Sequence, residues 1–414
     1  MTSAVWHPFT QHGLNEPIPL ISHGNGAALH TRDGRRIIDA ISSWWVTTHG
    51  HNNPRIVAAI AEQAGRLDQM IFAGWTHEPA ETLARSLIEM MPDPLAHVFF
   101  SDSGSTAVEV ALKMALGFWA NRGEPRHRIL VMQHSYHGDT IGAMSVGARG
   151  VFNQAYSPLL FDVGTIPFPA RDSEQTTLDE LDRQCSASPK PAAFIVEPLI
   201  LGAGGMLIYG PEVLTRMREI CARHDVLFIA DEIMTGWGRT GTLLACEQAG
   251  VAPDILCLSK GLTGGSMPLA VTLATPEIFE AHRSTDRAKM FFHSSSYTAN
   301  PIACAAANAN LSIWRDEPVL DRIANLARRQ QVQLDRIADG AGIANARRLG
   351  TIAAFDIDDG TGSYLSEIAP RLMRYARERD ILLRPLGNTV YVMPPYCIDD
   401  VDLDAIYKMI MSFI

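Results

Sequence analysis

Two residues of opposite charge stand where a pocket would form. Asp231 closes the apolar run VLFIA, and Lys260 follows the run DILCL and a serine, 29 residues further on. If those runs are neighbouring strands, amine and carboxylate face one pocket. A lysine can form an imine with an aldehyde cofactor. A carboxylate beside a pyridine nitrogen keeps it protonated, so that the ring draws electrons from a carbanion at Cα, and the displaced lysine can carry the proton. That chemistry belongs to pyridoxal phosphate (PLP). A structural Asp–Lys ion pair is the commoner outcome at such a separation, and spacing alone leaves both readings open.

Other polar residues follow apolar runs in the same way. SDSGST, residues 101–106, leads into a segment with apolar Val108, Leu112, Ala115 and Trp119 at helical spacing. Free N–H groups and the helix dipole at Gly104 and Ser105 would favour a phosphate. A plain capping role for Ser105 or Thr106 is the alternative. Tyr136, after RILVMQHS, could lie over a planar cofactor with Gly138 allowing close approach, or could simply pack. Asp139 and Glu197 complete the polar set. GWGRTG, residues 236–241, matches the form G-x-G-x-x-G but does not sit between a strand and a long helix, and no acid closes a next strand. It reads as a turn-rich loop, which speaks against a nicotinamide dehydrogenase.

The elements that must position these residues are legible in outline. AALHTRDGRRIIDAI, residues 27–41, predicts two strands around an Asp33-Gly34 turn. From about residue 55 helices alternate with the runs HVFF, RILVM, AAFIV, VLFIA, DILCL and LAVTLA, which predicts a mostly parallel sheet covered by helices. In such sheets ligands bind beyond the carboxyl ends of the strands. Past about 310 the pattern predicts one long amphipathic helix, the strand TIAAFDI, a helix near 365–379 and the strand YVMPP.

The 414 residues, 47% hydrophobic and 19% charged, suffice for two domains. A formal charge of −10 argues against nucleic acid or an anionic membrane as main partner. Six cysteines lie without a C-x-x-C pair or zinc spacing, and the N-terminal MTSAVWHP opens no export signal. The expectation is a cytoplasmic protein with reduced thiols and no bound metal.

IADEIMTGWGRTG followed by PDILCLSKGLTGG resembles the signature of the class III, ω-amino acid type, aminotransferases of PLP fold type I. Flanking motifs extend the likeness over nearly the whole chain. It implies an α/β fold: residues 1–54 as an N-terminal segment packing with the small domain, 55–310 as the large PLP-binding domain, and 311–414 as a smaller α/β domain. Within the family, WHPFT from Trp6, SSWWVTTHG from Ser42, DSGS from Asp102, YHGDT from Tyr136, GAGGM from Gly202 and Arg384-Pro are similar to the branch serving biotin synthesis. That branch implies transfer of an amino group from S-adenosylmethionine to 8-amino-7-oxononanoate, giving 7,8-diaminononanoate by a ping-pong cycle. Branches using lysine, diamines or ω-amino acids share the core and remain alternatives. A non-catalytic PLP-binding protein is disfavoured by the intact Lys260 and Asp231.

The resemblance implies a role for each matching residue. Lys260 would form the imine, Asp231 would partner the pyridine nitrogen, Tyr136 would cover the ring, and Gly104 and Ser105 would hold the phosphate, with Glu197 beside the cofactor. Ser295 and Ser296 would reach the phosphate from the other subunit of a homodimer, with Ser294 by the substrate. Arg384 would take a substrate carboxylate through its two-pronged donor geometry. Asp139 would orient a substrate amine. Phe9, Trp44, Trp45 and Tyr391 would line the substrate cavity, where an aromatic face attracts a sulfonium; of the tryptophan pair, Trp44 is the expected substrate contact. The chain departs from the family at Phe9, often tyrosine; at Ser294-Ser295, often Gly-Pro; at Ser296, often threonine; and at Leu201, often glutamine.

Overall fold

A computed structural model describes residues 4–338, 340, 342–358 and 365–414. At its centre is a seven-stranded sheet. In spatial order its strands are His97–Ser101, Ala270–Ala274, Ile255–Leu258, Leu227–Asp231, Ala193–Val196, Ile129–Met132 and Gly164–Ile166. Ala270–Ala274 runs antiparallel to both neighbours, and the remaining strands share one direction. Every residue from Ile129 to Met132, Ala193 to Val196, Leu227 to Asp231, Ile255 to Leu258 and Ala270 to Ala274 is buried. Helices on both faces exclude alternation, which is why these strands read as unbroken apolar runs. Gly164–Ile166, too short and mixed to register as such a run, closes one edge.

Leu227–Asp231 and Ile255–Leu258 pair in parallel with Asp231 opposite Cys257. Asp231 and Lys260 therefore leave adjacent strands on the same side of the sheet. Facing them, the helix Gly104–Asn121 follows His97–Ser101 and buries Val108, Leu112, Ala115 and Trp119. Its cap is Ser103, not Ser105 or Thr106. Ser103 Oγ accepts from Thr106 N at 3.2 Å while Ser103 N donates to Thr106 Oγ1 at 3.0 Å, a reciprocal box that satisfies two orphan donors and leaves the Ser105 hydroxyl free of capping.

The expected strands around Asp33-Gly34 are Ala28–Thr31 and Arg36–Asp39, flanked by Ile21–Asn25 on one side and by the parallel pair Ile381–Leu382 on the other. Ile38, Ala40, Ile41 and Trp45 share a core with Phe355, Tyr391, Leu403 and Ile406, under a second sheet of Ile343–Leu349, Ile352–Ile357 and Thr389–Val392. The single long helix expected after 310 is two, Pro301–Asp316 and Val319–Ala338, with Glu317 extended at φ −119° and ψ 152°. Pro318 causes the break: it lacks an N–H and pushes its predecessor out of the helical region. Residue 310 falls within the first of these helices, whose Ala303, Ala307 and Leu311 join the core of the large sheet and whose Ala306 and Ile313 join the other. We propose that the border between the large and small domains runs along this helix.

Candidate active site

Where the strands end, a cavity of about 270 Å³ opens. Lys260, Asp231, Tyr136, His137, Gly138, Glu197, Gly104 and Ser105 form its inner wall, and Phe9, Trp44, Trp45, Phe152, Met234, Arg384 and Tyr391 its outer part. Most residues singled out from the sequence are thus brought together. Asp139 lies next door, in an adjoining cavity of about 330 Å³ that shares Tyr136, Gly138, Phe152, Ala203 and Leu386 with the first.

Charge at the inner wall is strongly perturbed. Lys260 opens a short turn after its strand with φ +44°, a left-handed conformation that costs a non-glycine residue energy and that only surrounding structure maintains. Burial lowers its amine from 10.5 to about 8, with Arg239 acting in the same sense against Asp231 and Glu197. The side chain keeps partial exposure because it faces the cavity. Its Nζ lies 4.8 Å from the centroid of the Trp45 ring, within reach of a cation–π attraction. Asp231, buried, accepts from Ile233 N at 3.1 Å through Oδ1 and meets His137 Nδ1 at 2.7 Å through Oδ2. Glu197 is raised to about 7 by burial, with Asp231 adding to the shift and His137 and two backbone amides opposing it. Those amides are Tyr136 N and Gly202 N, each 3.0 Å from a carboxylate oxygen.

Two glycines shape the floor. A Cβ on Gly104 would come within 2.9 Å of Ile233 Cγ2, and one on Gly138, at φ +134°, would collide with Ser105. The 136–139 turn can therefore lie directly on the first turn of the helix, where Ser105 Oγ accepts from Asp139 N at 3.1 Å. Free amides, a hydroxyl and the positive end of an 18-residue helix dipole converge there, suited to a phosphate. The buried His137 Nε2 has no partner among the described residues. Burial, then the charge of Asp139, raises the Tyr136 hydroxyl above its ordinary range.

The outer part is aromatic. Phe9 and Trp44 lie 5.5 Å apart, with the Arg384 guanidinium carbon 5.7 Å from the first ring and 5.3 Å from the second. Trp44 is 45% exposed whereas Trp45 is 5% exposed, and Trp45 Nε1 donates to the Tyr391 hydroxyl at 2.8 Å. Ser294, Ser295 and Ser296 do not line the cavity of their own chain. Ser295 Oγ donates to Asp102 Oδ2 at 3.0 Å and accepts from Tyr297 N at 3.1 Å, and Ser294 Oγ donates to Ser295 O at 3.2 Å. The sequence analysis passed over His137, Phe152 and Met234. His137 carried a signal, a histidine beside the strand-end tyrosine; the other two carried none.

An open α/β sheet with a buried, easily deprotonated lysine, a carboxylate backed by histidine and an anion cradle at a helix start defines an enzyme that holds a phosphorylated, nitrogen-bearing ring through an amine. The chain belongs to the class III aminotransferases, whose family model, "Aminotransferase class-III", matches residues 10–414. It is 45% identical over 418 aligned positions to the adenosylmethionine-8-amino-7-oxononanoate aminotransferase of Synechococcus elongatus, covering 99% of this chain and 98% of that one. Among solved structures, that of the enzyme of the same name from Methanocaldococcus jannaschii superposes with TM-score 0.94 at 32% identity, over 99% of this chain and 97% of the other. An amine transaminase from an uncultivated Pseudomonas species, in its PLP-bound form, superposes with TM-score 0.92 at 33% identity, over 99% and 98%. Class III aminotransferases are PLP-dependent, and the His137–Asp231 pair, the glycine-lined helix start and Lys260 fit that cofactor.

Proposed function

We propose that this chain is the transaminase that passes the amino group of S-adenosylmethionine to 8-amino-7-oxononanoate, yielding 7,8-diaminononanoate, as a cytoplasmic homodimer. The observation that carries the reading is Lys260, an amine lowered to about 8, beside Asp231 and His137 in a cavity rimmed by Arg384 and aromatic rings. The likeness to the Synechococcus elongatus enzyme supports the choice of substrates.

Pyridoxal phosphate, when bound, supplies an aldehyde that takes up an amine and a protonated ring that accepts the electron pair left at Cα. The residues do the rest. Gly104, Ser105 and the helix amides would hold the phosphate, with Ser295 and Ser296 of a second copy reaching it and Ser294 beside the substrate. Asp231, its Oδ2 held by His137 and its Oδ1 by Ile233 N, would keep the ring nitrogen protonated. Tyr136, oriented by the bond from its backbone N–H to Glu197, would cover the ring. Lys260 would hold the cofactor through its amine and, with that amine lowered by burial, would carry the proton between the substrate's Cα and the cofactor's C4'.

Both substrates use one pocket in turn. Arg384 takes the acceptor's carboxylate by paired donors, Trp44, Trp45, Phe9 and Tyr391 receive its aliphatic chain and the donor's sulfonium, and Asp139 orients the incoming amine. Incubating the purified enzyme with both substrates, and replacing S-adenosylmethionine by lysine or a simple amine, tests the assignment. Turnover with S-adenosylmethionine and its loss in Lys260→Ala are expected. Turnover only with another donor moves the chain to the second reading, an amine transaminase, which its structural likeness to the Pseudomonas enzyme favours.

A further inference from the structure

The turn that carries Tyr136 and Asp139 is fastened from behind by a carboxylate with no part in the proposed reaction. Glu109 lies one helical turn beyond Ser105 on the helix Gly104–Asn121, so both side chains leave the same face. Ser105 Oγ accepts from Asp139 N at 3.1 Å. Glu109 Oε1 accepts from Thr140 Oγ1 at 2.5 Å, Gly142 N at 2.8 Å and Ala143 N at 3.1 Å. Together the two residues hold the beginning and the end of the 139–143 segment.

The local chain needs such a partner. Thr140 stands at the cap position of the short helix Ile141–Ser145 but makes no side-chain bond to it, since its hydroxyl donates to Glu109 instead. The first N–H groups of that helix would be orphans, and Glu109 takes two of them. Two glycines allow the close approach. A Cβ on Gly138 would collide with Ser105 Oγ, and one on Gly142 with Glu109 Oε2. Gly142 is helical, so its missing side chain serves this contact and not an unusual backbone angle. The spacing of the glycines, 138 and 142, thus repeats the spacing of their partners, 105 and 109, on the helix.

What the segment carries faces the cavities. Tyr136 and Gly138 line both of them, and Asp139 and Met144 line the second. Asp139 is exposed, so no packing fixes its direction and the backbone anchors on either side must. It acts on the Tyr136 hydroxyl through charge and a hydrogen bond, so a shift of the turn displaces both groups. Beyond Glu109, Ala143 and Val146 are buried with Val108 and Leu112, which fixes the far end of the segment against the helix. A charged acceptor makes stronger bonds than a neutral one, and here three of them meet on one oxygen.

We propose that Glu109 is a positioning residue for amine transfer, setting the 136–143 turn on the helix so that Tyr136 and Asp139 are aimed into the site. The assignment rests on the reading of Tyr136 as the ring cover and Asp139 as the group that orients a substrate amine. The test is a double-mutant cycle of Glu109→Ala and Gly142→Ala. It is read by kcat and KM, by the circular dichroism of bound PLP, and by amide hydrogen exchange of the PLP-free protein. Glu109→Ala is expected to raise KM for the acceptor by about 10-fold, as loss of one charged hydrogen bond would, with less change in kcat. The dichroism should weaken, and exchange should quicken in residues 136–146 while Ala193–Val196 is unchanged. Gly142→Ala, whose methyl displaces the carboxylate, should do the same. Alanine favours a helix over glycine, so without the clamp this substitution would slow exchange instead. In the Glu109→Ala background the methyl meets nothing, and Gly142→Ala should cost no more than about twofold further. Glu109→Gln, which keeps an acceptor oxygen, should recover most of the KM and the dichroism.

Slower exchange in Gly142→Ala, additive losses in the double variant, or exchange raised throughout the chain would overturn the assignment. So would an unchanged KM and dichroism in folded Glu109→Ala. Failure of every Glu109 variant to fold would do so too, by making the residue a determinant of the fold alone. Dichroism and exchange use no substrate. A loosened turn with weakened dichroism, in an enzyme inactive with the two substrates, would therefore refute the reaction and not the clamp.

Discussion

Freed of cofactor, Lys260 is expected to titrate near pH 8. Its displacement from 10.5 to about 8 is about 2.5 units, on the order of 3 kcal/mol at 1.36 kcal/mol per unit. At pH 8 roughly half of the amines are then neutral, against about one in 300 for an ordinary lysine, a gain of about 150-fold in reactive form. Trace labelling of the PLP-free protein with an amine reagent across a pH series, quantified peptide by peptide, measures this directly. The exposed Lys190 and Lys408 serve as internal standards. Asp231→Asn should move the Lys260 midpoint down, since the carboxylate is the largest influence holding the proton on. A Lys260 midpoint equal to that of Lys190, or an upward move in Asp231→Asn, would refute the electrostatic account.

The same shift has a stability consequence of definite sign. A folded-state pKa below the unfolded value means that between pH 8 and 10.5 the unfolded chain binds more protons, so stability rises with pH through that window. Below pH 8 the cost of the buried ammonium is present in full. Lys260→Met should therefore stabilise the PLP-free protein at pH 7, by up to about 3 kcal/mol, with the gain shrinking as pH approaches 10.5. A melting temperature for Lys260→Met at or below wild type at pH 7 would contradict it.

Gly138→Ala, whose new methyl collides with Ser105 at φ +134°, should open the anion cradle and lose PLP on dialysis, seen as loss of visible absorbance, while the chain still folds. Arg384→Ala should raise KM for the carboxylate-bearing acceptor by about 10- to 150-fold, the worth of a charged hydrogen bond at 1.5–3 kcal/mol, and leave kcat nearly unchanged. Glu197 titrates near 7 in the fold, above its ordinary 4.5. Its carboxylate therefore costs stability that is absent below pH 4.5 and complete above about 7, and the PLP-free wild type should lose stability relative to Glu197→Gln as pH climbs through that window; a pH-independent difference between their melting temperatures would refute it. Phe9→Tyr, restoring a hydroxyl near Arg384 and Trp44, should alter substrate KM without changing kcat, as steady-state kinetics would register.

The strands that carry Asp231 and Lys260 were legible because burial on both faces leaves an uninterrupted apolar run, and a polar residue ending such a run is conspicuous. Short strands such as Gly164–Ile166 and Ile381–Leu382 escape the same logic, since two or three residues have no period to detect. The helix break at Pro318 was legible in principle, yet the amphipathic stripe on either side of it masked the stop. The phosphate cradle was half visible: glycine and hydroxyls at a helix start were apparent, but not that Ser103 would do the capping and release Ser105.

The aromatic pair shows where local pattern stops informing. Trp44 and Trp45 are adjacent, chemically identical and preceded by two serines, yet one is half exposed beside Arg384 and the other is buried against Lys260. Their parting is made by positive φ at Ser42, Ser43 and Trp45, which no propensity favours. It is imposed by Asp39 at close range and by Arg239 from more than 190 residues away. The glycine-rich run that carries Arg239 has the form of a dinucleotide fingerprint but reads, from its context in the sequence, as a turn-rich loop. Its donors meet this protein's own carbonyls instead of a dinucleotide's phosphates. The same reasoning covers His137, whose neighbours in sequence suggest cofactor packing but whose Nδ1 is committed to Asp231, 94 residues on. Sequence therefore pointed to the groups proposed to react, while the side chains that aim them act at long range and are defined only once the chain is folded.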